Sequence, residues 1–244
     1  MNADLLIKVI VGSTPVIAVL VAAAFLTPPD LPLLARQMLL CAFALGGLAV
    51  AERMLFGPGA RRIASAMGFN RARRPAVMTA ILCSLPMWLF LPIHGWTTGR
   101  PVVVSTDWLA ILSGIVLVNG IAEEVIHRAF VFGHLRQVHS FAVSAAIGAI
   151  IFGLQHFYLL VTIGVVAGTA SIILAVLLVW PLALLFERGG NSIIPPAILH
   201  SSSNAPMMIF VSADIVDTVV LPHMAVVLAS MYLSSALVLR QERS

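Results

Sequence analysis

Two adjacent glutamates and three histidines lie inside long apolar stretches of this sequence. Of the ten acidic residues, only Glu123 and Glu124 lie well within such a stretch. His156, His200 and His223 lie within others. Ionisable side chains are costly in hydrocarbon, so these residues are candidates for function. A carboxylate and imidazoles in a water-excluded site can activate water and stabilise an oxyanion, which is the chemistry of hydrolysis.

Helical spacing separates the roles of the two glutamates. Adjacent residues on an α-helix point about 100° apart, so Glu123 and Glu124 face different surroundings. Glu124 and Arg128 are four residues apart, which predicts a structural ion pair within the membrane. The Glu123 carboxylate then remains available for catalysis, and His127 follows it by four residues in the chain. We expect His127 to lie near the cytoplasmic interface, with a supporting influence on Glu123 as the alternative.

The four-residue spacing recurs at two further places. Phe152 and His156 share a helix face, so the phenyl ring can pack beside the imidazole and restrict its rotamer. His200 and Asn204 share another face, across three serines, and both can point as hydrogen-bond donors into one cavity. The rise of a helix places these three polar side chains and Glu123 about 10–22 Å from the cytoplasmic face.

The composition is that of a membrane protein. Hydrophobic residues make up 60% of the 244 and charged residues only 10%, whereas soluble domains carry about 25% charged residues. The two cysteines, Cys41 and Cys83, lie in apolar runs and are expected to be buried free thiols. Basic residues stand at the ends of apolar runs, which indicates membrane topology and not nucleic-acid binding.

The apolar runs predict an all-α, polytopic bundle of about eight transmembrane helices with both termini in the cytoplasm. Each run is close to the roughly 20 residues that cross a bilayer. The predicted spans cover residues 5–27, 33–55, 75–93, 107–126, 141–161, 163–186, 191–212 and 215–239. The first run is expected to be a retained span and not a signal peptide. Pro195 and Pro196 should kink the seventh span or make its helix start late.

Lysine and arginine are distributed unevenly between the two predicted sides. If the loop after the second span is cytoplasmic, twelve of the fourteen basic residues fall on that side. They are Lys8, Arg53, Arg61, Arg62, Arg71, Arg73, Arg74, Arg128, Arg136, Arg188, Arg240 and Arg243. This is the bias expected of cytoplasmic segments. Only Arg36 and Arg100 fall on the other side, and Arg36 is expected to extend to the outer surface.

Read together, three motifs resemble those of the CAAX-protease and bacteriocin-processing (CPBP) family of intramembrane endopeptidases. They are EExxxR over 123–128, FxxxH over 152–156 and HxxxN over 200–204, and the stretch ERGGNSIIPP over 187–196 resembles the usual lead-in. The resemblance covers about 107–212. Within a single membrane domain over 1–244, we therefore expect generic spans over 1–100, a catalytic core over 107–212 and a last span over 215–239.

The resemblance implies glutamate-dependent hydrolysis of a peptide bond without a cofactor. Glu123 would be the general base that activates a water, and His156 would help to hold that water. His200 and Asn204 would donate hydrogen bonds to the oxyanion. The substrate would be a membrane-anchored protein or peptide.

Other functions remain open at this point. Glu123, His156 and His200 could instead hold a catalytic zinc ion with one open position. A non-catalytic immunity factor or scaffold could keep the same fold. A transporter could use the carboxylates as a proton relay, although the sequence has no internal repeat of the kind common in transporters.

The sequence leaves the substrate open between prenylated tails, C-terminal sorting tails, leader peptides and lipid-linked proteins. Arginine outnumbers lysine thirteen to one, which suggests a GC-rich bacterial genome. We therefore expect a multi-pass protein of a bacterial plasma membrane.

Overall fold

The described part of the chain forms nine helices and no β-strand. The computed structural model describes residues 3–26, 31–57, 59–100, 102–210 and 216–241. The helices are α1 (Ala3–Leu26), α2 (Leu33–Leu55), α3 (Ala60–Ala66), α4 (Arg74–Thr98), α5 (Trp108–Leu135), α6 (Phe141–Thr162), α7 (Val165–Arg188), α8 (Ile194–Phe210) and α9 (Val216–Gln241).

Seven of these helices are long and apolar enough to cross a membrane, which confirms the all-α, polytopic class. The two exceptions among the described residues are α3 and α8. Large apolar side chains such as Leu26, Met54 and Val166 remain exposed on the bundle surface, as expected where lipid is the solvent. The chain is therefore a multi-pass membrane protein. The predicted span ends at 27, 212 and 215 lie outside the described residues.

Helix α8 corresponds to the predicted span 191–212 but is shorter. Its 17 residues extend about 25 Å, less than the roughly 30 Å of a hydrocarbon core. Pro195 and Pro196 lie in its first turn, where their missing N–H groups cost no helical hydrogen bond. The helix therefore starts later than the predicted span, and a late start is one of the two effects expected of this proline pair. It packs against α4, α5 and α7.

Close contact between α5 and α8 depends on Gly120. A Cβ atom at this position would overlap the Ser201 hydroxyl and lie 3.3 Å from the Ala197 carbonyl oxygen. A larger residue would separate the two helices. Because Gly120 lies one turn before Glu123 and Glu124, this contact brings those carboxylates beside α8.

Helix α5 is not a regular α-helix through its length. After an α-helical start at Trp108–Ile115, it forms π-helical turns at Val116–Ala122 and Val125–Phe132. Glu123 and Glu124 lie between the two wide segments. Such π-helical turns are rare and often mark functional sites. They change the direction of the side chains that follow them, so they alter the neighbours that a regular helix would predict.

Candidate active site

Glu123 is held in place by a side chain from α6. Its Oε1 accepts a hydrogen bond from Gln155 Nε2 at 3.2 Å, and Gln155 Oε1 lies 2.7 Å from His127 Nε2. All three residues are buried, with His127 only 2% exposed. With Oε1 of Gln155 as the acceptor, His127 Nε2 carries the proton. The three side chains therefore form a buried hydrogen-bonded chain that fixes one oxygen of the Glu123 carboxylate.

Glu124 joins the predicted ion pair to a histidine of α8. Its Oε2 lies 3.2 Å from Arg128 Nε, an ion-pair distance without hydrogen-bond alignment, and both side chains are fully buried. Its Oε1 lies 2.7 Å from His200 Nδ1. Because a carboxylate accepts, His200 Nδ1 is the donor. A carboxylate that fixes the tautomer and orientation of an active-site imidazole is a recurring arrangement.

This hydrogen bond leaves the other nitrogen of His200 facing Glu123. His200 Nε2 lies 3.8 Å from Glu123 Oε2, too far for a direct hydrogen bond. Within the described part of the chain, Glu123 Oε2 has no hydrogen-bond partner. A water about 2.8 Å from each atom would bridge them.

Phe152 packs at the centre of these groups. Its ring centroid lies 4.6 Å from that of His127, 4.5 Å from that of His156 and 6.0 Å from that of His200. The Arg128 guanidinium carbon lies 4.9 Å from the same ring. The ring therefore contacts all three motifs and supports the imidazoles, as its spacing from His156 predicts.

In the described part of the chain, His156 and Asn204 are not bonded to Glu123. His156 Nδ1 lies 2.8 Å from the Phe152 carbonyl oxygen of its own helix and donates to it, which leaves Nε2 available. Asn204 is half-buried on α8. Among the described residues, neither side chain forms a hydrogen bond or ion pair with Glu123. The described contact between Glu123 and an imidazole is that with His200, at 3.8 Å.

The bundle buries His127, Glu52 and His134, and sequence reasoning missed one glutamine, Gln155. His127 is buried and bonds Gln155, and its expected position near the cytoplasmic interface stays a prediction. Glu52 lies in the last turn of α2 and is 1% exposed, with Oε1 2.7 Å from His134 Nε2. His134 is likewise buried, and its ring stacks on Phe56. Gln155 directly precedes the motif histidine within an apolar run, and that polar position was the signal available for it.

A polar cavity of about 300 Å³ reaches Glu123 between α1, α2, α5 and α6. Its polar lining consists of Arg36, Gln37, Asn119, Glu123, Gln155 and Tyr158. Its α1 and α2 residues lie toward the ends of these helices that adjoin residues 27–32. This cavity therefore lies on the side opposite the arginine-rich connection 56–73. Its polar lining within an apolar bundle can admit water to the Glu123 carboxylate.

The zinc alternative would use Glu123, His156 and His200 as ligands. Among the described residues, no three His, Cys, Asp or Glu side chains are grouped as metal ligands. His200 Nδ1 bonds Glu124 and His156 Nδ1 bonds a carbonyl of its own helix, which leaves Nε2 of each ring open. Because metal-bound histidines commonly have this arrangement, the zinc alternative stays a prediction.

Comparison with known proteins agrees with the motifs. Residues 105–206 match the family model described as type II CAAX prenyl endopeptidase Rce1-like. No curated protein and no solved structure matches the chain. The matched segment contains EExxxR, FxxxH and HxxxN together with Gln155, and it supports peptidase activity in general. Residues 105–206, less than half of the chain, are therefore similar to the Rce1-like endopeptidases, in agreement with the resemblance of the three motifs to the CPBP family.

Proposed function

We propose that this chain is an intramembrane endopeptidase that hydrolyses a peptide bond of a membrane-associated substrate with Glu123 as the general base. One observation carries the proposal. The buried Glu123 carboxylate has one oxygen held by Gln155, while its other oxygen faces His200 Nε2 at 3.8 Å. The same residue lines a polar cavity. A base with one fixed and one available oxygen beside an oriented imidazole is suited to activating water.

The reaction starts with a water between Glu123 Oε2 and His200 Nε2. Glu123 removes a proton as the water oxygen attacks the scissile carbonyl carbon, forming the C–O bond. The carbonyl π electrons move to the oxygen and give a tetrahedral oxyanion. Collapse of this intermediate breaks the C–N bond, and the proton held by Glu123 passes to the leaving nitrogen. Water is the co-reactant, and no oxidant, reductant or metal is required.

Two side chains are proposed as hydrogen-bond donors in this reaction. Asn204 lies one turn beyond His200 on α8, and its amide can donate to the oxyanion. His156 Nε2 is free of the helix bond made by Nδ1 and can orient the water or the substrate carbonyl. Preorganised donors of this kind supply much of the transition-state stabilisation in acyl transfer.

Replacing Asn204 by Ala should lower kcat by about 10²–10³-fold, the usual effect of losing one oxyanion donor. The measurement is steady-state cleavage by purified full-length protein in detergent. Ser203→Ala is the matched control, because the neighbouring Ser203 hydroxyl already donates to the His200 carbonyl oxygen of its own helix. Near-normal cleavage by Asn204→Ala would remove Asn204 from the mechanism.

The substrate can be found by comparing membrane proteomes. Cells that carry the wild-type chain are compared with cells that carry Glu123→Ala, and peptides that span an uncleaved site are sought in the variant. We expect at least one membrane-anchored protein to remain uncleaved. If the protein is a non-catalytic scaffold or immunity factor, both cell types should show identical cleavage, provided that the variant inserts normally.

The proposed location of the protein is a bacterial plasma membrane.

A metal-dependent reaction predicts a different response to chelation. We expect purified protein, dialysed against a strong chelator, to keep its cleavage rate while its zinc content falls well below one ion per chain. Elemental analysis and activity are measured on the same sample. Loss of activity that zinc restores would support the alternative with Glu123, His156 and His200 as ligands.

A further inference from the structure

Among the described residues, one basic side chain lines the cavity beside Glu123. Arg36 lies in the first turns of α2 and lines the cavity together with Gln37 of the same helix. This region lies outside the matched domain 105–206. Packing fixes the position of α2 here, because a Cβ atom at Gly114 of α5 would lie only 2.8 Å from Gln37 Cγ. Arg36 therefore lies on a helix, α2, that packs directly against α5 beside the cavity.

The Arg36 guanidinium has no anionic partner in the described part of the chain. Every described ion pair involves other residues, and the Arg36 side chain makes no described hydrogen bond. The side chain is half-buried. A guanidinium in a partly desolvated place binds a carboxylate strongly and with defined geometry. Arg36 lies between this polar cavity and an apolar cavity formed by α1 and α2, so its charge finds polar surroundings on the side of Glu123.

The opposite wall of the cavity carries polar groups suited to a peptide. Asn119 lies on α5 one turn before Glu123, and Tyr158 follows Gln155 on α6. Among the described side chains, that of Asn119 makes no hydrogen bond. An amide and a phenol can bond the N–H and C=O groups of an extended chain. The volume of about 300 Å³ is at the lower end of small-ligand pockets, about 300–1,000 Å³.

We propose that this cavity is the substrate cleft and that Arg36 binds a carboxylate of the substrate a short distance from the scissile bond. The inference rests on the proposed function, because it takes Glu123 as the reacting base. It defines the substrate class as a segment with an anionic group close to the cleaved bond. That carboxylate comes either from a free C-terminus or from an Asp or Glu side chain.

The test uses three pools of fluorescence-quenched peptides with randomised apolar residues. The first pool ends in a free carboxylate, the second in a carboxamide, and the third in a carboxamide with one Asp among its last three residues. Purified full-length protein in detergent is assayed as wild type, Arg36→Gln, Arg36→Lys and Glu123→Gln. Arg100→Gln is the matched control, since Arg100 is the other arginine on the predicted outer side and lies away from this cavity.

We expect the wild type to prefer a carboxylate pool to the plain carboxamide pool. Arg36→Gln should raise KM for the preferred pool about 10–100-fold with little change in kcat, the effect of losing a charge-assisted hydrogen bond. Arg36→Lys should recover part of the loss, and Arg100→Gln should behave as wild type. Preference for the first pool identifies the C-terminus as the source of the carboxylate, and preference for the third identifies a side chain.

Two results would overturn the inference alone. One is Arg36→Gln protein that cleaves every pool like the wild type while Glu123→Gln is inactive. The other is wild-type protein that shows no preference for a carboxylate, or that leaves both carboxylate pools intact while cleaving the carboxamide pool. Cleavage by Glu123→Gln at the wild-type rate would instead overturn the proposed function, whatever Arg36 does.

Discussion

Glu123→Gln should eliminate nearly all peptide hydrolysis while the protein inserts and folds normally. The amide has almost the same shape as the carboxylate, and its oxygen can still accept the hydrogen bond from Gln155 Nε2. It cannot take a proton from water, so the general-base contribution of about 10²–10⁴-fold is lost. The measurement is kcat with the substrate found by membrane proteomics, beside size-exclusion and thermal-unfolding profiles that match the wild type.

Glu52→Gln provides the matched control. Glu52 is also a carboxylate buried within the bundle, with Oε1 2.7 Å from His134 Nε2, but it lies outside the matched segment 105–206. We expect this variant to keep its kcat, even if its stability falls. An unchanged kcat in Glu123→Gln would be incompatible with Glu123 as the base. Equal losses in both variants would indicate a general effect of neutralising buried carboxylates.

Local spacing predicts contacts along one helix well. The ion pair between Glu124 and Arg128 and the packing of Phe152 on His156 both follow from a four-residue separation. The long helices follow from the length of apolar runs, because a bilayer requires about 20 such residues. These features depend on residues near each other in the chain, so one sequence is sufficient to infer them.

Contacts between helices depend on information that spacing does not contain. The bonds from His200 to Glu124 and from Gln155 to Glu123 join positions 76 and 32 residues apart. The π-helical turns on either side of the glutamates rotate the α5 side chains away from their regular directions. Because of these turns, a regular helix could not predict that His127 bonds Gln155. The place of Arg36 beside the cavity likewise depends on the packing of α2 on α5, which spacing does not contain.

Glu124→Leu should destabilise the protein far more than Glu123→Gln, because it leaves Arg128 charged and unpaired in the core. Arg128 is fully buried, and Glu124 Oε2 is its ion-pair partner at 3.2 Å. Removing one member of a buried pair typically costs about 3–5 kcal/mol. The measurement is the free energy of unfolding, obtained by titrating SDS into mixed micelles. We expect most of this variant to be unfolded or aggregated after extraction.

The double variant Glu124→Leu/Arg128→Met separates stability from catalysis. Apolar residues of similar volume often replace a buried ion pair at little cost, so the double variant should recover most of the lost unfolding free energy. It should nevertheless stay poorly active, because His200 Nδ1 has lost the Glu124 oxygen 2.7 Å away that fixes its orientation. Recovery of both stability and kcat would show that Glu124 serves only to neutralise Arg128. A double variant as unstable as the single one would show that the carboxylate stabilises the bundle chiefly through His200.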